Sequence, residues 1–185
     1  MPVKIADDEV VLMQRVADGD REACELVIRS LMGRVQRLAM ALLGNSADAK
    51  DASQDSQVEI LRAARGFRGE SLLTHWADRI AVRTTLRWAG KERRMRTVAL
   101  GVAQDRAYAE SAPAKVLSDQ YLAALPPVQR TALVLRCILQ YSVEEIAQLT
   151  QVSPNTVKDR LLRSRATLRE AYGEGADSET PSIEH

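Results

Sequence analysis

The stretch "YSVEEIAQLTQVSPNTVKDRLLRSRATLR", residues 141–169, restricts the fold more tightly than any other part of the chain. Ser142 followed three residues on by Glu145 forms a capping box, which starts a helix over "VEEIAQLT". Ile146, Ala147 and Leu149 supply the buried side of that helix. "QVS" makes a three-residue turn. Ser153 caps the next helix, and Pro154 occupies its first position, where a missing N–H costs nothing. At about 100° per residue, Val157, Leu161, Ser164 and Leu168 share one face of the second helix. Asn155, Lys158, Asp159, Leu162, Arg163 and Arg169 fall on the opposite side. A short helix, a tight turn and a second capped helix make a helix-turn-helix.

A basic helix taken alone is usually solvated surface. Here the turn spacing, the two caps and a second basic segment elsewhere favour contact with DNA, the second helix entering the major groove with its N-terminal residues at the base edges. Lysine and arginine supply affinity by neutralising phosphates, whereas sequence choice needs side chains at the bases. Asn155, Lys158 and Arg163 carry suitable donors, and Leu162 offers an apolar contact for a thymine methyl group.

A net charge of +1 conceals the segregation that supports this reading. Residues 1–61 hold 7 basic and 11 acidic side chains, 62–97 hold 10 basic against 3 acidic, and 153–172 hold 5 against 2. The tail 173–185 has 4 acidic residues and no lysine or arginine. Two separated basic segments therefore lie in an otherwise neutral chain. Apolar residues at 45% and charged residues at 28% describe a globular protein, and aromatics at 4% favour helices over sheets. No apolar run approaches the roughly 18 residues needed to span a bilayer, and "MPVKIADDEV" is not a signal peptide, so a cytoplasmic protein is expected. Cys24 and Cys137 lie far apart in apolar helical patterns and read as reduced, buried thiols.

The expected class is all-α, with two small helical domains joined by a flexible linker. Asp7 and Asp8 cap a helix that "DGD" ends at 18–20. A long helix over 21–43 carries Leu26, Val27, Leu31, Val35, Leu38 and Leu42 at three- and four-residue steps and closes at Gly44-Asn45. Ser46 caps a third helix to about Ala64, and a fourth runs from Leu72 to about Arg94. Periodicity then fades over 97–115, the linker. In the second domain, over 116–172, a short helix at 118–125 and one from Pro126-Pro127 to about Leu139 precede the helix-turn-helix. Residues 173–185 form a disordered acidic tail.

The first basic segment couples an arginine-lined helix face to a glycine-flanked loop, "RGFRGES". Arg79, Arg83, Arg87 and Lys91 recur every four residues and line one face. A basic surface beside such a loop suits single-stranded nucleic acid, with unstacked bases inserted into a pocket. Trp76 has the spacing of core with Leu73 and Ile80, while Phe67, the only phenylalanine, fits either a loop anchor or a base contact. No catalytic constellation is present: no phosphate-binding glycine loop, no paired histidine and carboxylate, no Cys-His arrangement. Asp48, Asp51 and Asp55 share one helix at spacings of three and four, but no further ligands accompany them, so an acidic contact face is expected instead of a metal site. The chain is read as a non-enzyme that needs no cofactor or metal.

Taken in order, these strings resemble a bacterial RNA polymerase sigma factor of the extracytoplasmic-function (ECF) group, in the sigma-70 family, over Glu9 to Tyr172. "ADGDREA" at 17–23 is similar to the family's opening signature, and "DAKDASQD" at 48–55 to its "DAEDLVQE". "GFRGESLLTHWADRIA" at 66–81 follows its "F.G.S....W..RIA" pattern, and the helix-turn-helix resembles its C-terminal domain throughout.

The resemblance implies a factor that binds core RNA polymerase at its clamp and flap regions and directs promoter recognition, −10 melting and initiation. Residues 7–96 would be sigma domain 2, gripping the clamp through Asp48, Asp51, Gln54 and Asp55. Its loop, with Phe67, Arg68, Gly69, Glu70 and Ser71, would capture a flipped base of the melted −10 element. Trp76, Arg79, Arg83 and Arg87 would complete that DNA surface. Residues 116–172 would be sigma domain 4, reading the −35 duplex through Asn155, Thr156, Lys158, Asp159, Arg160, Leu162, Arg163 and Arg165. An anti-sigma factor is a further partner the family suggests. Lys50, Ala52 and Gln57 depart from the family's clamp-binding pattern, Arg83 from a frequent asparagine, Asn155 from a frequent glycine and Asp159 from a frequent serine. Two rival readings are a stand-alone helix-turn-helix regulator, which leaves the loop and the Asp48–Asp55 helix without a purpose, and a sigma-like decoy that occupies an anti-sigma protein or the polymerase.

Overall fold

A computed structural model describes the backbone of residues 4–100 and 121–172, with side chains described over 7–91 and 121–172. All regular structure among the described residues is helical. The chain divides into two compact units, Met1–Ala99 and Leu100–His185. The expected tail lies outside the described residues. So does the expected linker, apart from 97–100, which are still helical.

In the first unit α1 spans Lys4–Ala17, α2 Arg21–Leu43, α3 Ser46–Arg62 and α4 Leu73–Leu100, with a 3-10 turn at Ala64–Gly66. Because α1 begins at Lys4, Asp7 sits in its first turn instead of capping it. Asp20 caps α2 by accepting from the Ala23 N–H at 3.2 Å. Arg15 donates to the same carboxylate at 2.7 Å. The Ala23 amide above all, and then Arg15, hold the Asp20 carboxyl below its usual range. Gly44 ends α2 in the left-handed region at φ +76°, where glycine carries no Cβ penalty, and its N–H reaches the Met40 carbonyl at 2.8 Å.

The core face of α2 is Ala23, Val27, Leu31, Val35, Leu38, Ala39 and Leu42, each buried. Leu26, expected on that stripe, is exposed because its neighbour Val27 occupies the inward position. The cap of α3 is Asn45 rather than Ser46. Asn45 has extended backbone and accepts from the Asp48 N–H at 2.8 Å, whereas Ser46 is already helical. Across the α2–α3 contact, Ala39, Ala49 and Ala52 form a small-residue cluster on which Met40, Leu43 and Trp88 pack. A forked ion pair joins α2 to α4: Arg34 donates to Asp78 through Nε at 2.7 Å and Nη2 at 2.6 Å. The Asp78 carboxylate raises the Arg34 pKa further above its ordinary value.

In the second unit a short helical stretch at 121–123 precedes α5 (Pro127–Leu133), α6 (Val143–Thr150) and α7 (Pro154–Tyr172). The helix expected to continue to Leu139 widens instead into a π turn at Val134–Ile138. One residue too many for the α repeat is accommodated there, and the Leu139 N–H bonds five residues back to Val134. Arg130 is buried, donating through Nε to the Leu122 carbonyl at 2.7 Å and through Nη2 to the Leu125 carbonyl at 3.0 Å. It thereby satisfies the chain end that enters α5, and burial lowers its pKa. Tyr121 and Tyr172 meet edge to face at 4.3 Å, tying the end of α7 to the helical stretch at 121–123.

Candidate nucleic-acid interfaces

The helix-turn-helix is built by short-range bonds. Ser142 Oγ accepts from the Glu145 N–H at 3.1 Å while Glu145 Oε2 accepts from the Ser142 N–H at 2.9 Å, completing the capping box. Gln151 takes the left-handed conformation at φ +55° and closes α6. Ser153 Oγ accepts from the Thr156 N–H at 3.2 Å, and α7 begins at Pro154. Val157, Leu161, Ser164 and Leu168 are buried and seat α7 on its own unit.

On the outer face of α7, Asn155, Lys158, Asp159, Leu162 and Arg163 are exposed. Leu162 is 66% exposed, a large apolar side chain standing among charges. Arg163 Nε donates to Asp159 Oδ1 at 3.1 Å, one helical turn away. The other expected −35 residues stand differently. Thr156 is half-buried and engaged with the Ser153 hydroxyl at 2.9 Å. Arg160 and Arg165 are half-buried. Burial pushes the Cys137 thiol pKa up, against the positive charges of Arg165 and Arg136, which act to lower it.

The loop of the first unit is held by contacts from distant parts of the chain. Phe67 is only 7% exposed, and its ring meets Trp76 edge to face, centroids 5.3 Å apart. Of the two roles open to Phe67, the buried ring against Trp76 supplies the loop anchor. Trp76 is half-buried beside it. Arg68, Glu70 and Ser71 are exposed, and Gly69 adopts φ +69°, turning the chain where a side chain would be strained. Two contributors were not visible in the sequence. Leu72, expected inside the helix, is an exposed apolar residue at the loop's end. Glu9 of α1 accepts from the Leu73 N–H at 2.9 Å and so caps α4 from a position 64 residues away.

Along α4, Arg79, Arg83, Arg87 and Lys91 are all exposed on one face. On α3, Asp51, Gln54 and Asp55 are exposed, with Val58, another exposed apolar side chain, continuing the same strip. Asp48 stands apart from them, half-buried and accepting from Asn45 Nδ2 at 2.7 Å. Ala52, a departure from the family's pattern, is fully buried within the alanine cluster.

Two units, helical in all their described regular structure, one carrying a helix-turn-helix and the other a basic helix beside an anchored loop, have the make-up of a DNA-binding transcription factor. The comparisons with known proteins give the class its family. The pattern described as "Sigma-70 region 2" matches residues 27–95, and that described as "Sigma-70, region 4" matches 118–168. The chain is 32% identical over 170 residues to the ECF RNA polymerase sigma factor SigM of Mycobacterium tuberculosis, covering 90% of this chain and 85% of that one. It is 28% identical over 176 residues to the RNA polymerase sigma-H factor of Pseudomonas aeruginosa, covering 86% and 91%. Among solved structures, the sigma factor RpoE in complex with the anti-sigma factor NepR, from Bartonella quintana, superposes with a TM-score of 0.57 at 22% identity, covering 79% of this chain and 94% of that one. The chain belongs to the ECF RNA polymerase sigma factors. It is accordingly a regulatory initiation factor, directing promoter-specific transcription initiation. No helix among the described residues is long and apolar enough to cross a membrane.

Proposed function

We propose that the two basic surfaces meet two different states of the promoter. The exposed face of α7 reads the −35 element as duplex, with Asn155, Lys158, Asp159, Leu162 and Arg163 toward the bases and Arg160 and Arg165 toward the flanking phosphates. The loop at 68–72 takes the melted −10 strand, Phe67 and Trp76 acting as its floor, while Arg79, Arg83 and Arg87 hold the backbone. The strip of Asp51, Gln54, Asp55 and Val58 on α3 docks on the polymerase clamp, with Asp48 bracing its start. The second unit docks on the flap. Functionally, 7–96 acts as sigma domain 2, 97–115 as a connection and 116–172 as sigma domain 4, in the cytoplasm. An anti-sigma protein is the expected regulator.

The observation that carries this reading is the pair of free guanidinium groups on α4. Arg83 and Arg87 are exposed and make no hydrogen bond or ion pair among the described residues, an arrangement that leaves both charges for an anionic partner. The test is run-off transcription with purified core polymerase on genomic fragments. R83A/R87A should reduce transcripts and shallow the salt dependence of promoter binding, by about one unit of slope per lost phosphate contact. Unchanged transcription and salt slope would remove the α4 face from the DNA path. Polymerase binding without any promoter-dependent transcript would point to a decoy.

A further inference from the structure

Over its first two turns the outer face of α7 carries one carboxylate, Asp159, and the way it is held bears on which bases are chosen. Asp159 and Arg163 are 51% and 69% exposed, and their single bond runs from Nε to Oδ1. That geometry uses one N–H of the guanidinium and one oxygen of the carboxylate. Both Nη groups and Oδ2 stay open. An isolated aspartate at this position would be repelled by phosphates, whereas the pair is neutral, so neither member serves as a phosphate clamp. An exposed i,i+4 pair is weak, so base edges can draw its open atoms into the groove.

We infer that Asp159 and Arg163 act together as the specificity device of α7, Asp159 selecting a cytosine and Arg163 a guanine close by in the −35 duplex. This deepens the assignment of α7 to that duplex and rests on it. The chemistry follows from what each base presents in the major groove. Cytosine offers an N4 amino donor that suits a carboxylate oxygen, and guanine offers O6 and N7, which suit the two Nη groups of an arginine. The reach also fits. Four residues rise about 6 Å along a helix, against about 3.4 Å per base-pair step, so the two head groups meet bases one or two steps apart. Leu162, next to Arg163 in the chain and one turn from Lys158, adds an apolar contact beside them.

The test selects from a library of duplexes randomised across the −35 region, using core polymerase loaded with the full chain. The wild-type protein should prefer cytosine at one position by about 5- to 150-fold, with a guanine one or two pairs away. D159N exchanges a carboxylate for an amide that both donates and accepts, the pattern that pairs with adenine N6 and N7. The preferred base at that position should therefore change from cytosine to adenine. D159A should flatten the position while strengthening binding to all sequences at low salt, because a negative charge has left the groove. R163K keeps the charge and loses the fork, so only the guanine position should weaken. Identical base choice by the wild type, D159N and D159A, with other positions still selected, would overturn the inference and leave the −35 reading intact. No selection at any position by the wild type would overturn that reading itself.

Discussion

Glu9 provides the sharpest test of how the loop is held. Its carboxylate accepts the Leu73 N–H at 2.9 Å and lies at the N-terminus of the 28-residue α4, where the helix dipole favours a negative charge. In Glu9→Ala the cap is lost, at about 1 kcal/mol within a range of about 0.5–2. The charge–dipole attraction adds about 0.3–1 kcal/mol for a partly exposed group. A total near 2 kcal/mol in a unit of this size corresponds to a fall in Tm of roughly 8–16 °C. Glu9→Gln retains an acceptor and loses only the charge, so its Tm should fall by only about 1–8 °C. Thermal unfolding of the full chain gives the ranking, and hydrogen exchange at the amides of 73–75 gives the location: their protection should drop in Glu9→Ala before that of the rest of α4. Assayed well below both melting points, Glu9→Ala should lose more transcription on duplex promoters than on templates already opened at −10. Equal melting temperatures for wild type and Glu9→Ala, or unchanged protection at 73–75, would refute the cap.

Phe67→Ala removes a buried ring and its contact with Trp76, and should destabilise the first unit by about 3–5 kcal/mol; −35 duplex binding, which the proposal assigns to the second unit, should persist in a gel-shift assay. Arg34→Ala strands the Asp78 carboxylate, whose side chain is 6% exposed. The cost should be about 1–3 kcal/mol, moderated because Arg34 itself is 42% exposed. Arg34→Met with Asp78→Asn should cost less than the sum of the single changes in urea unfolding. The folded-state pKa of Asp20 lies below its ordinary 3.8, so its stabilising effect is present above that pH and is lost as pH falls through the depressed value. Asp20→Asn should therefore flatten the decline of Tm on the acid side, read by melts between pH 7 and pH 3.

What was legible in the sequence follows the range of the contacts involved. The helix-turn-helix could be read in full because the bonds that make it span three or four residues: Ser142 with Glu145, and Ser153 with Thr156. The faces of α7 followed from helical period alone. The long-range ties of the first unit were hidden, since Glu9 and Leu73 are 64 residues apart and Arg34 and Asp78 are 44 apart, and neither pair belongs to a periodic pattern. Phe67 could be named but its role could not be chosen, because a loop has no period to say which way a ring points. Ala52 read as a departure from a clamp-binding motif; its burial against Ala39 and Ala49 gives it a packing role instead. The π turn at Val134–Ile138 left no sequence mark, for its residues keep the apolar character of an ordinary helix.

The two proposed DNA surfaces are held by contacts of different range. The position of the α7 side chains is set by caps within the helix-turn-helix and by four buried residues of α7, all short-range features of the second unit. The loop at 67–72 depends on Phe67 against Trp76 and on Glu9 at Leu73, while Arg34 and Asp78 fix α4 to α2. Each of these ties couples the loop to the folding of the whole first unit. Partial destabilisation of that unit should therefore loosen the surface proposed to take the melted strand more than the helix proposed to read the duplex. A rigid, locally encoded helix suits the recognition of bases that stay stacked and keep a fixed spacing. A loop anchored at both ends and free between them suits a strand whose bases must first leave the stack, since the exposed residues between Phe67 and Leu73 can adjust without disturbing either anchor.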